Sequence, residues 1–131
     1  MDIERIIIDR RIIDEFLDRV KGSRVEVGGI LLGRRIDGSI YVERLLIGRN
    51  ILDSPVRFEL DDETIAEAIK AEDEGYEIVG IIHSHPAPAI PSSIDRLYMD
   101  YWPIPWIIVD SNTLDIGAWN RDRRIELVIK D

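Results

Sequence analysis

Two histidines occur in the 131-residue chain, and both fall in one tripeptide, His83-Ser84-His85. Imidazole is the commonest protein metal ligand and the side chain that most readily moves a proton near neutral pH. The pair closes a nearly unbroken apolar run, YEIVGIIHSH over 76–85, of the kind a buried central strand requires. Residues i and i+2 of a strand project to the same side, so this spacing aims both rings at one place. Asp95 follows in the first turn of a helix expected over SSIDRLYMDYW, and the prolines at 86, 88 and 91 stiffen the loop that folds back. Catalytic zinc takes three protein ligands and leaves a fourth position for water, which His83, His85 and Asp95 could satisfy. The chain has no cysteine, so any metal here has nitrogen and oxygen ligands. Two histidines ending a strand can equally be hydrogen-bonded or solvated, and an acid in a first helical turn interacts with the helix dipole without any metal. Residue types and spacing lead as far as a metal site.

The longer stretch HSHPAPAIPSSID, residues 83–95, resembles the signature of the JAMM (MPN-plus) metalloprotease family. That signature is H-[ST]-H-P, a seven-residue stretch counted from the proline, then S-x-x-D. The family also carries an upstream glutamate in a segment E-x-x-G-x-L-x-G, matched here by Glu26-Val27-Gly28-Gly29-Ile30-Leu31-Leu32-Gly33. The resemblance covers about residues 26–110, with both motifs in the family's order. One departure stands out: six residues separate His85 from Ser92, where the family has seven. Either the loop is shortened by one residue, or Ser93 takes the serine's place and the aspartate spacing changes; Ser92-x-x-Asp95 keeps the internal spacing, so the shortened loop is expected.

The resemblance implies His83, His85 and Asp95 as ligands of one Zn2+ ion, with water in the fourth position. It implies Glu26 as the general base and Ser92 as the donor to the oxyanion. By the same resemblance the activity is that of a zinc isopeptidase or peptidase. The bond cleaved would follow the C-terminal Gly-Gly of a ubiquitin-like protein, either a small modifier or a sulfur carrier. The alternatives are a non-catalytic scaffold, against which the full residue set argues, and a zinc hydrolase of a small amide. The implied fold is α/β, an MPN/JAMM-like (cytidine-deaminase-like) architecture.

The elements that must position these residues can be read from pattern. IERIIID is a short strand, and RRIIDEFLDRV places Ile12, Ile13, Phe16, Leu17 and Val20 on one helical face before Gly22. A hairpin turning at Asp37-Gly38 joins EVGGILLGRRI to SIYVERLLIG. VRFEL reads as a strand, and a helix runs from the acids at 61–63 to about Glu74. WIIVD, DIGAWN and IELVIK are closing strands, so the expectation is a single domain over 1–131, one mixed sheet packed by two or three helices. Gly28 and Gly29 mark a bulge or a close backbone approach, and PIPWIIV reads as packing at a strand start. The net charge of −9, with arginines dispersed among acids, argues against nucleic acid as partner. With no eighteen-residue apolar run and no signal-peptide pattern, a cytoplasmic protein without a membrane span is expected. A homodimer is compatible with the sequence, which leaves oligomeric state open.

Overall fold

The computed structural model describes residues 2–49 and 60–131. β1 (Arg5–Asp9) runs directly into α1 (Arg10–Lys21). The apolar spacing of α1 buries Ile13, Phe16 and Val20, with Ile12 and Leu17 packed at the margin. Arg19 and Lys21 in its last turn complement the negative end of the helix dipole, and Gly22 caps it. β2 (Gly28–Ile36) and β3 (Ser39–Ile47) form the antiparallel hairpin, with Asp37 at φ 54° in the left-handed region that tight hairpin turns use.

α2 (Asp62–Asp73) begins at Asp61, whose carboxylate accepts from Thr64 N–H. The chain leaves that helix through Gly75, at φ 101°. β4 (Glu77–His85), α3 (Ser93–Tyr101), β5 (Trp106–Asp110), β6 (Ile116–Asn120) and β7 (Arg123–Lys130) complete the order. The strand expected at VRFEL falls on residues 56–59, outside the described residues, save for Leu60 at its end.

The mixed sheet and the three helices among the described residues agree with the sequence reading, and the sheet also closes. β1 pairs in parallel with both β3 and β7, so the order β1-β3-β2-β4-β5-β6-β7 forms a barrel. Closure leaves the paired strands no open edge. β4 is interior, antiparallel to β2 and parallel to β5.

Strand alternation sorts the apolar residues into two clusters. Leu31 and Ile82 join α1 in one, while Ile30, Leu32 and Ile81 pack with Ala68 and Ala71 of α2 and Met99 of α3 in the other. His83 and His85 share the parity of Ile81, which turns them toward the α2 and α3 side. No helix among the described residues is long and apolar enough to cross a membrane.

Candidate active site

His83 and His85 leave the end of β4 side by side, their ring centroids 5.3 Å apart. They are only 1% and 6% exposed, and Asp95 and Glu26 beside them are each 5% exposed. Four titratable groups so deeply buried must compensate one another, because an unpaired buried charge is costly. Asp95 Oδ1 lies 3.0 Å from His83 Nε2, and Asp95 Oδ2 lies 3.3 Å from His85 Nε2. Glu26 Oε1 stands 3.6 Å from His83 Nδ1, beyond hydrogen-bond length but within ion-pair range.

The start of α3 fixes Asp95. Ser92 Oγ accepts from Asp95 N–H at 3.0 Å, and Asp95 Oδ2 accepts from Ser92 N–H at 2.8 Å. This reciprocal capping box starts the helix and sets the carboxylate in the same act. Ser92, not Ser93, is therefore the N-cap, as the shortened-loop spacing requires.

The loop over 86–91 is tied to β6. Trp119 Nε1–H donates to Ala89 O at 2.9 Å, and Gly117 makes room, since a Cβ there would lie 2.6 Å from that same oxygen. Ile90 O then comes within 3.3 Å of His85 Nε2. A loop of six residues suffices because a neighbouring strand holds its middle.

Burial opposes charge on His83, but hydrogen bonding to Asp95, with Glu26 contributing next, outweighs it and raises the imidazole to about 9. Burial likewise opposes charge on His85, which Asp95 nevertheless raises against the repulsion of His83. Burial would raise Asp95, yet hydrogen bonds from the two imidazoles hold it well below the usual carboxylate range. The contacts between Asp95 and the two rings thus favour protonated imidazoles and an ionised Asp95.

These side chains line a cavity of about 160 Å3, together with Pro86, Ala87, Ser92, Ile94, Tyr98 and Trp106. Pro86, Ala87 and Ser92 are exposed, so the cavity opens to solvent on the loop side. His83, His85 and Asp95 each offer a ligand atom, all within 4.8 Å of one another, and could hold a metal ion. The donor set of two imidazoles and a carboxylate suits zinc.

All five residues singled out in the sequence meet here. Two aromatic side chains also reach the cavity: Trp106, whose ring meets His83 edge-on at 5.3 Å, and Tyr98. Trp106 was expected only to pack; it is 3% exposed, and parallel pairing with Ile81 puts it on the histidines' face. Tyr98 lies three residues beyond Asp95, a spacing that on a helix already shares a face. Gly29 shows the expected close approach, a Cβ there lying 2.6 Å from Leu46 O, while the sheet's irregularities sit further along, at Leu31/Leu32 and Leu32/Gly33.

Comparison with known proteins agrees with this geometry. The family described as prokaryotic homologs of the JAB domain matches residues 10–123. The desampylase of Pyrococcus furiosus is 37% identical over 132 residues, covering 95% of this chain and 91% of that protein. The probable TtuB-protein conjugate cleaving protease of Thermus thermophilus is 32% identical over 104 residues, 77% of this chain and 66% of that one. Protein DSY2949 from Desulfitobacterium hafniense, solved in solution, superposes with a TM-score of 0.80 at 25% identity, covering 96% of this chain and 93% of that one. The chain therefore belongs to the prokaryotic JAB (JAMM) domain family.

Proposed function

We propose that this chain, acting as one domain over 1–131, is a cytoplasmic zinc-dependent isopeptidase or peptidase that hydrolyses the amide bond after the C-terminal Gly-Gly of a ubiquitin-like protein. The observation that carries this reading is the buried convergence of His83, His85 and Asp95 beside Glu26 in a small open cavity. Two relatives whose names denote desampylation and cleavage of TtuB-protein conjugates support the substrate class.

His83, His85 and Asp95 would hold the ion. An ion held there would supply Lewis acidity, making water a better nucleophile near neutral pH and polarising a carbonyl. Glu26 accepts a proton at its carboxylate and returns it to the leaving amine, which an amide needs in order to depart. Ser92 Oγ already accepts from Asp95 N–H, and its own O–H can donate to the carbonyl oxygen as negative charge develops there. Sites for small molecules commonly enclose about 300–1,000 Å3. A cavity of about 160 Å3 suits a narrow, glycine-ended tail better than a bulky free ligand.

The approach of Glu26 to His83 Nδ1 favours a second reading of that residue, as the carboxylate that orients a ligating imidazole. The test uses zinc-loaded protein with a ubiquitin-like protein joined through its Gly-Gly tail to a lysine, products being followed by mass spectrometry. Cleavage should stop on chelation, resume with zinc, and fail when the terminal glycine is made bulky. Activity that survives chelation, or an inert loaded wild type, would sink the proposal. Glu26→Gln should retain the ion and lose turnover; loss of about tenfold or more in zinc affinity would instead assign the orienting role.

A further inference from the structure

We infer that Ser84, the residue between the two histidines, is the positioning residue for Glu26, its hydroxyl fixing the peptide unit that aims the carboxylate at His83. This deepens the hydrolytic reading and rests on it for its activity measurement alone.

Alternation along β4 sends Ser84 to the face opposite the histidines, among the apolar residues packed with α1. It is 1% exposed. A hydroxyl in such surroundings needs a partner, and a serine here calls for a reason beyond packing. Its partner is Val27. Val27 N–H donates to Ser84 Oγ at 3.0 Å, and Ser84 N–H donates to Val27 O at 2.8 Å.

The ladder between β2 and β4 begins at Gly28 opposite His83, so Val27 lies opposite Ser84 at the next step. A hydrogen-bonded antiparallel pair normally exchanges two backbone bonds. Here one bond is the usual kind, and in the other a side-chain hydroxyl takes the place of the carbonyl. The Val27 N–H belongs to the peptide unit that joins Glu26 to Val27. Holding it sets the direction in which the Glu26 side chain leaves the backbone.

Glu26 needs that help, since it precedes β2 and lies outside any helix or strand. The segment before it is ordered by a local turn in which Val25 N–H donates to Ser23 Oγ at 3.1 Å. One tripeptide therefore sets the whole arrangement: residues 83 and 85 present the imidazoles on one face, and residue 84 clamps the carboxylate's backbone from the other. A displacement of about 1 Å in such a group can cost about 100-fold in rate.

Ser84→Thr and Ser84→Val have nearly equal volume and differ by the hydroxyl. In zinc-loaded protein, Ser84→Val should lower kcat by about 10- to 100-fold, with KM within about twofold and full metal content, and Ser84→Thr should restore kcat. Ser84→Ala, which cannot overpack, should repeat the Val result. In metal-free protein, the Val27 amide should exchange at least about tenfold faster in the Val and Ala variants but not in Thr, and the Glu26 carboxyl carbon resonance should move in the same two. Undiminished kcat in Ser84→Ala, an unchanged Val27 amide, or a loss of kcat matched by loss of metal would each overturn the inference. If the wild type cleaves no ubiquitin-like conjugate, the hydrolytic reading fails by itself; the amide and carboxyl measurements still decide whether Ser84 sets Glu26.

Discussion

His83 sits between two carboxylates on opposite sides of its ring, Asp95 at Nε2 and Glu26 at Nδ1. A proton and a metal ion would compete for that place, because a ligating imidazole must be neutral. In the metal-free protein the His83 pKa rises from 6.5 to about 9. A group whose pKa is raised on folding contributes stability in full below its unfolded value and loses it as pH climbs through the folded one. The metal-free chain should therefore lose thermal stability from about pH 6.5 to 9. Asp95, whose pKa is lowered, contributes above its unfolded value of 3.8 and loses that contribution as pH falls below it. Metal affinity should follow the opposite slope to His83, rising over the range where the proton leaves. The difference in Tm between zinc-buffered and chelated protein should thus widen from pH 6.5 to 9; a difference that stays flat would rule out this competition. At this scale the sequence was informative, since the residue types, their order and the i, i+2 spacing all survive in the folded site. What it could not show was which ring nitrogen meets which carboxylate, that Ser84 bonds Val27 beside Glu26, or that Trp106 of β5 meets the His83 ring.

The loop and helix that deliver Asp95 depend on two local devices of different legibility. The capping box could be anticipated from Ser92-x-x-Asp95, because the chemistry of a helix N-terminus is written in adjacent residues. The second device could not. Trp119 grips Ala89 across thirty positions of sequence, and Gly117 matters only because that carbonyl comes to rest above it. The loop's missing residue is accommodated by this contact with β6. Gly117→Ala places a Cβ within 2.6 Å of Ala89 O and 2.8 Å of Trp119 Nε1, so loop or indole must shift. Asp95 and the Ile90 carbonyl would shift with the loop, while the apolar clusters remain filled. The expected result is a fall of about tenfold in zinc affinity, with Tm of the chelated protein within a few degrees of wild type. Competition with a chromophoric chelator reads the first quantity and calorimetry the second. Equal affinity in the variant would show that the loop does not hold the ligand.

Across the whole molecule, the site is a feature of the core rather than an attachment to it. β4 is an interior strand whose residues feed both apolar clusters and, at its end, the candidate metal ligands. The helices and strands were legible from periodicity, but the closure was not, because the parallel pairs of β1 join segments far apart in sequence and leave no local turn signal. Closure makes distant positions answerable for the site. Ile6 in β1 is fully buried and pairs with Ile40 on one side and Leu127 on the other, three places from β4 in the strand order. Ile6→Ala should cost about 2–5 kcal/mol through lost burial and the cavity left behind. If the barrel unfolds as one unit, zinc release and the loss of far-ultraviolet dichroism should share one urea midpoint in the wild type and move together to a lower shared midpoint in the variant. A zinc-release curve that leads the dichroism curve would mean that α3 and the loop open separately. The site would then belong to a local unit resting on the barrel, and a substitution in β1 would leave the release midpoint where it was.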